Sequence, residues 1–147
     1  MIRVIVSAKV NPTEEGVKVS GAINNIFPNI ELEEEKLSEN SSRFSGEGDK
    51  FSLTQMHYLI REEEIIDTAR TALRIGLSED DTYTSFIISK QVATVGHLNY
   101  PAQEEALGSI NIEIFADSGR EMQRLFDWLT PPTENGIPDF EINIDSV

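Results

Sequence analysis

Ile2-Arg3-Val4-Ile5-Val6-Ser7-Ala8-Lys9-Val10-Asn11-Pro12-Thr13-Glu14 is the stretch whose reading decides the fold. Ile2, Val4, Val6, Ala8 and Val10 alternate strictly with a more polar set, the period of a strand with one buried face. The strand runs into Asn11-Pro12-Thr13-Glu14. Asn is a strong N-cap, Pro is tolerated as a first helical residue, and Glu three places on can return a capping-box bond. Val19, Ile23, Ile26 and Phe27 then fall at i, i+4, i+7 and i+8, one face of a helix that Pro28 ends. A strand feeding a helix opens the chain.

Outward from there, residues 30–37 are charged at most positions and read as an edge strand, where charge discourages pairing with other chains. Residues 39–48 turn to Ser, Asn and Gly and read as a loop, with at most a short strand near Ser42–Phe44. Ser52 and Gln55 form a second capping box, opening a helix with Leu53, Met56, Leu59 and Ile60 inward. Ile65, Ile66, Ala69 and Leu73 line a further helical segment ending near Gly76, and residues 52–76 fit either one helix or a bent pair.

The second half returns to strands. Tyr83–Ser89 and Ala93–Asn99 read as consecutive strands that turn at Lys90-Gln91, and Ile110, Ile112 and Ile114 alternate in another. Ser118 and Glu121 make a third capping box before a helix lined by Met122, Leu125, Phe126 and Leu129, which Pro131-Pro132 stops. Phe140–Ile144 alternates as a final strand. The order predicts an α+β single domain over residues 1–147, a mainly antiparallel sheet with helices packed on one face.

Composition narrows the chemistry. The chain has 147 residues, with 12 Lys and Arg against 26 Asp and Glu, a formal charge of −14. A field of that sign repels phosphate backbones and anionic lipid. There is no Cys, which excludes disulfides, thiolate nucleophiles and Cys-ligated metals and fits a reducing cytosol. No apolar run approaches the roughly 20 residues of a membrane span, and Met1–Val6 lacks the pattern of a signal peptide. A cytoplasmic protein without a membrane partner is expected.

Catalytic patterns are missing. The two histidines, His57 and His97, lie 40 residues apart in no ligand spacing. Glu33-Glu34-Glu35 and Glu62-Glu63-Glu64 offer oxygen ligands, but adjacent residues on a helix or strand point apart. No Ser sits in Gly-x-Ser-x-Gly, and Gly46-Glu47-Gly48-Asp49-Lys50-Phe51 fails the phosphate-loop pattern. No metal, no cofactor and no enzymatic activity are expected.

Two places could hold an anion. One is the strand-to-helix junction, where Asn11 and Thr13 stand at a helix N-terminus with its free N–H groups; a plain cap is the competing reading. The other is Arg70 and Arg74, which share a helix face at i, i+4 and could be joined by Lys90 in its turn. Their structural alternative is pairing with Asp67 or the Glu62–Glu64 run.

A resemblance adds to this reading. Asn11-Pro12-Thr13-Glu14, Ile66-Asp67-Thr68-Ala69-Arg70, Ser89-Lys90-Gln91-Val92-Ala93, Leu107-Gly108-Ser109-Ile110 and Asp127-Trp128-Leu129-Thr130-Pro131-Pro132-Thr133 followed by Gly136 occur in this order along the chain. Together the motifs resemble a small archaeal family of uncharacterised proteins sometimes labelled RNA-binding or exosome-subunit-like. The resemblance implies a fold like that of ribosomal protein L-five and contact with RNA, and it carries over no catalytic residue. The expectation is a non-enzymatic RNA-associated module, with Asn11, Thr13, Arg70, Arg74 and Lys90 as candidate anion or RNA contacts. The alternative is a homodimer that covers the open sheet face, where Arg3, Ile5, Ser7 and Lys9 are mixed in character and Tyr83, Ile87 and Ile112 need a neighbour.

Overall fold

The computed structural model describes residues 1–147. Strands β1 (Arg3–Val10), β2 (Glu33–Ser38), β3 (Ser41–Gly48), β4 (Tyr83–Ile88) and β5 (Ile110–Phe115) form a five-stranded sheet in the order β2-β3-β1-β5-β4. Every pairing is antiparallel. Helices α1 (Gly16–Ile26), α2 (Thr54–Glu62), α3 (Ile66–Ile75), α4 (Lys90–Thr94) and α5 (Gly119–Leu129) complete the fold, with a small hairpin of β6 (Thr133–Glu134) and β7 (Ile137–Pro138). Asn135 and Gly136 turn that hairpin, both at positive φ, as a type I′ turn demands.

One face of the sheet is filled. Val4, Val6 and Ala8 of β1, Ile110, Ile112 and Ile114 of β5, and Phe86 and Ile88 of β4 point into a core of 30 buried residues. Helix stripes close it from the same side, among them Ile23 and Ile26, Met56 and Ile60, Ala69 and Leu73, and Leu125 and Phe126. Each such Val, Leu, Ile or Phe side chain contributes about 1.5–3 kcal/mol by leaving water. The alternation of β1 and the stripes of α1 and α5 are as the sequence predicts. Ser118 Oγ accepts from Glu121 N at 3.1 Å, so the third capping box forms its first bond.

Elsewhere the structure corrects the reading. Residues 39–48 are mostly strand: β3 sits between β2 and β1. Its small residues are required there, because a Cβ on Gly46 would lie 2.5 Å from Glu31 O, and one on Gly48 would lie 2.8 Å from Ser52 Cβ. Ala93–Asn99 is no strand; Ser89 Oγ accepts from Val92 N at 3.2 Å and caps the short helix α4. The tail at 140–144 is irregular and ends in a 3₁₀ turn over Ile144–Ser146. Ser52 caps nothing. It is buried in a 3₁₀ turn (Lys50–Leu53) that Asp49 caps instead, accepting from Phe51 N at 3.0 Å. Residues 54–75 form two helices, parted where Glu64 adopts φ 55° and Ile65 N donates back to Ile60 O at 3.0 Å, a left-handed helix end.

The sheet's two edges are finished differently. β2 carries Glu33, Glu34, Glu35 and Lys36 in the open. β4 is covered: Ser78 N donates to Tyr83 O at 2.7 Å, Ser89 N donates to Asn99 O at 2.9 Å, and Gly76 packs on Ser85 between them.

Candidate functional site

The residues singled out from sequence fall in three places. Lys90 is not in a strand turn but at the start of α4, with its side chain 5% exposed. Its Nζ donates to Leu107 O at 2.7 Å and Lys9 O at 2.8 Å, and pairs with Glu14 Oε1 at 3.1 Å. Asn11 belongs to the same knot: Nδ2 donates to Leu107 O at 2.6 Å and to Glu14 Oε1 at 2.8 Å. The Asn11 backbone N–H also donates to Glu14, at 3.0 Å. The capping-box half-bond therefore exists without the helix: α1 begins at Gly16, and Glu15 at its N-cap makes no side-chain cap. Burial pushes the Glu14 carboxyl up, but the Asn11 hydrogen bonds and the Lys90 ammonium outweigh it and hold the pKa below the usual glutamate range. A carboxylate already fills the place an anion would take. Thr13 stands exposed in the turn beside this knot.

Arg70 and Arg74 do not make a joint grip. Arg70 Nη1 donates to Thr130 O and lies 3.7 Å from Asp127, tying α3 to the end of α5. Burial, then the Arg74 charge, hold the Arg70 pKa below its ordinary value, and Asp127 opposes both. Arg74 is exposed one turn on. Arg61, in the last turn of α2, donates to Leu129 O at 2.7 Å and Trp128 O at 2.9 Å, and pairs with Glu141 at 2.6 Å. Trp128 is buried and stacks on His57, ring centroids 4.6 Å apart. Lys90, Arg70 and Arg61 thus tie neighbouring elements of the fold together.

The uncovered face of the sheet is different. Registers align Arg3, Phe115 and Tyr83 in one row across β1, β5 and β4, with Ile5, Glu113 and Ser85 in the next and Ser7, Asn111 and Ile87 in the third. Lys9 stands opposite Arg43 at the far end of β1 and β3, and Glu47 opposite Ile5. Ile112, expected on this side, is fully buried on the other, because β5 pairs in the register that sends Asn111 and Glu113 outward. Arg3 lies with Cζ 4.5 Å from the Phe115 ring centroid and Nε 3.3 Å from Glu47. Tyr83 and Phe115 sit 4.9 Å apart at 53°. A shallow groove of about 610 Å³ crosses the face, lined by Ser7, Arg43, Ser85, Ile87, Asn111 and Glu113 among others. On this face Arg3, Lys9 and Arg43 stand among Glu47, Glu113 and two carboxylates of β2, Glu33 opposite Ser45 and Glu35 opposite Arg43, so cations and carboxylates are interspersed across it.

The sequence reading missed Arg43, hidden in its supposed loop, and took Tyr83 only for a dimer contact. Phe115 was legible: once Ile110, Ile112 and Ile114 are inward, period-two alternation sends it out.

Comparison with known proteins follows the sheet. A family model described as RNA binding matches residues 3–115, which is β1 through β5. A UPF0201 protein of Methanosarcina acetivorans is 44% identical over 100% of this chain and 95% of its own length. The chain belongs to the UPF0201 family. Another UPF0201 protein, from Methanopyrus kandleri, is 34% identical over 95% of this chain and 91% of its own. The crystal structure of a UPF0201 protein from Methanococcus jannaschii superposes with TM-score 0.85 and 31% identity, covering 94% of this chain and 99% of that one. The UPF0201 fold is thus the α+β sheet-and-helix layer described above, and the archaeal resemblance read from the motifs holds.

Proposed function

We propose that this protein is a non-enzymatic module of the cytoplasm that associates with RNA through the open face of its sheet. The observation that carries the reading is the gathering of Arg3, Lys9 and Arg43 on that face, within the stretch the RNA-binding family model matches, in a chain of formal charge −14. Affinity for nucleic acid comes first from neutralised phosphates, so cations that are exposed and not engaged in holding the fold are the ones able to supply it. Lys9 and Arg43 are exposed; Lys90, Arg70 and Arg61 are engaged. A further point against catalysis is the state of the histidines: His57 is stacked against Trp128, and His97 lies 3.6 Å from Glu63 on another surface. No helix is long and apolar enough to cross a membrane.

The test is titration of a labelled mixed-sequence RNA, single-stranded and duplex, at several salt concentrations. Phosphate contacts from Lys9 and Arg43 give a slope of about −1.4 for log K against log salt on single strands. Lys9→Glu with Arg43→Glu removes most of the binding, whereas Arg74→Glu, on the helix side, leaves it. Absence of binding at low salt, or equal loss with Arg74→Glu, overturns the reading. A second reading, self-association through the same face, is favoured by half-buried Ile5, Ile87 and Phe115 there; sedimentation of the free protein decides it.

A further inference from the structure

We propose that the row Arg3–Phe115–Tyr83 is a stacking platform for an unpaired base, so that the ligand of the open face is single-stranded RNA. This rests on the RNA reading above and narrows it to a substrate class and a polarity across the face.

The chemistry of the corner is specific. Unpaired bases are held by stacking on aromatic rings and guanidinium planes, whereas duplex RNA hides its base faces and is met through backbone and groove shape. Here a guanidinium already lies over an aromatic ring, with Arg3 Cζ 4.5 Å from the Phe115 centroid. Its outer side is free: the Arg3 side chain is 53% exposed, and Glu47 at 3.3 Å orients it without covering it. Tyr83, tilted 53° against Phe115, makes a second wall of the corner. A Tyr–Phe cross-strand pair alone would be an ordinary sheet contact. What sets this one apart is the third member, Arg3, and the groove of about 610 Å³ that runs on from the corner.

The remaining side chains give the ligand a direction. Beyond the stacking row stands Glu113, half-buried, whose carboxylate accepts hydrogen bonds and repels phosphate. Bases with exocyclic amino groups suit that position; phosphates do not. Ser7, Ser85 and Asn111 in the groove can each donate or accept toward base edges or 2′-hydroxyls. Lys9 and Arg43 stand at the opposite end, six residues along β1 from Arg3, or about 20 Å. The base end and the phosphate end of the site are therefore separate, and a short single strand spans them.

The experiment compares an eight-nucleotide single strand, the same strand carrying abasic sites, and a duplex of equal length, by fluorescence anisotropy with the full-length protein. The wild type binds the single strand at least tenfold more tightly than the abasic strand or the duplex. Tyr83→Leu with Phe115→Leu lowers single-strand affinity tenfold or more and leaves the salt slope unchanged, because phosphate contacts are untouched. Arg3→Lys, which keeps the charge but loses the plane and does not threaten the fold, also weakens the single strand while sparing the slope. Equal binding of abasic and intact strands, with Lys9→Glu/Arg43→Glu still abolishing it, overturns the stacking platform and leaves RNA association standing. No binding of any RNA overturns both. A change in sedimentation from dimer to monomer on Phe115→Leu, without RNA binding, makes the face a subunit interface and overturns the proposal.

Discussion

Replacing Lys90 by Met tests whether the buried knot at the start of α4 holds the fold. The ammonium is 5% exposed and its partner Glu14 12%. Removing one member of such a pair leaves a buried charge uncompensated, at a cost of about 3–5 kcal/mol. The lower end applies, since Glu14 keeps two donors from Asn11, at 2.8 and 3.0 Å, and Leu107 O keeps Asn11 Nδ2 at 2.6 Å. With an unfolding entropy of about 2.1 cal/mol/K per residue over 147 residues, a loss of about 3 kcal/mol lowers the midpoint by about 10 °C. Urea denaturation followed by circular dichroism, with a thermal scan beside it, reads both. Glu14→Met in the same chain recovers part of the loss, because two well-packed apolar side chains replace the pair without stranding a charge. A loss under about 1 kcal/mol for the single variant, or a double variant as unstable as the two singles added together, refutes the coupling.

Other outcomes follow from the same geometry. His57 is held below its ordinary pKa, chiefly by burial and then by the Arg61 charge. The unfolded chain therefore binds its proton first, and stability falls as pH drops below about 6.5; His57→Phe, which keeps the stack on Trp128, flattens that slope in urea midpoints measured from pH 7 to 5. The Glu14 carboxyl, held low, stabilises above the unfolded value and loses that contribution as pH falls below about 4, a loss that Glu14→Gln removes from the acid limb. Gly76→Ala places a Cβ 1.8 Å from Ser85 O, backbone against backbone, and destabilises by at least the 1–3 kcal/mol or so typical of overpacking. Gly21→Ala, inside α1 with nothing within 4 Å, stabilises by about 0.5–1 kcal/mol, and chemical denaturation of the two variants should show opposite signs.

Periodic elements were legible in the sequence and exceptions to period were not. β1, β5 and the stripes of α1, α3 and α5 announce themselves because one face of each is buried against a single core. β3 was hidden because its Gly46 and Gly48 answer a close approach by Glu31 and Ser52, a tertiary demand that leaves composition looking like a loop. The break at Glu64 was illegible because the left-handed residue there is not Gly. For the site, Lys90 and Arg70 misled: in an acidic chain a basic residue stands out, yet both are engaged with backbone carbonyls and carboxylates of neighbouring elements. The open-face residues were written in the same alternation that revealed the core, on the parity the core does not use. Reading that second parity needs the strand order, since only the registers bring Arg3, Phe115 and Tyr83 into line.

The finishing of the sheet's edges bears on how the molecule can accumulate. A filament grows by adding strand to strand, and here one rim carries Glu33, Glu34, Glu35 and Lys36 while the other lies under Gly76 and Asn99. What stays open is a face, and a face is consumed by whatever first lies on it. Any association through that face is therefore discrete, because neither rim offers bare strand for open-ended addition.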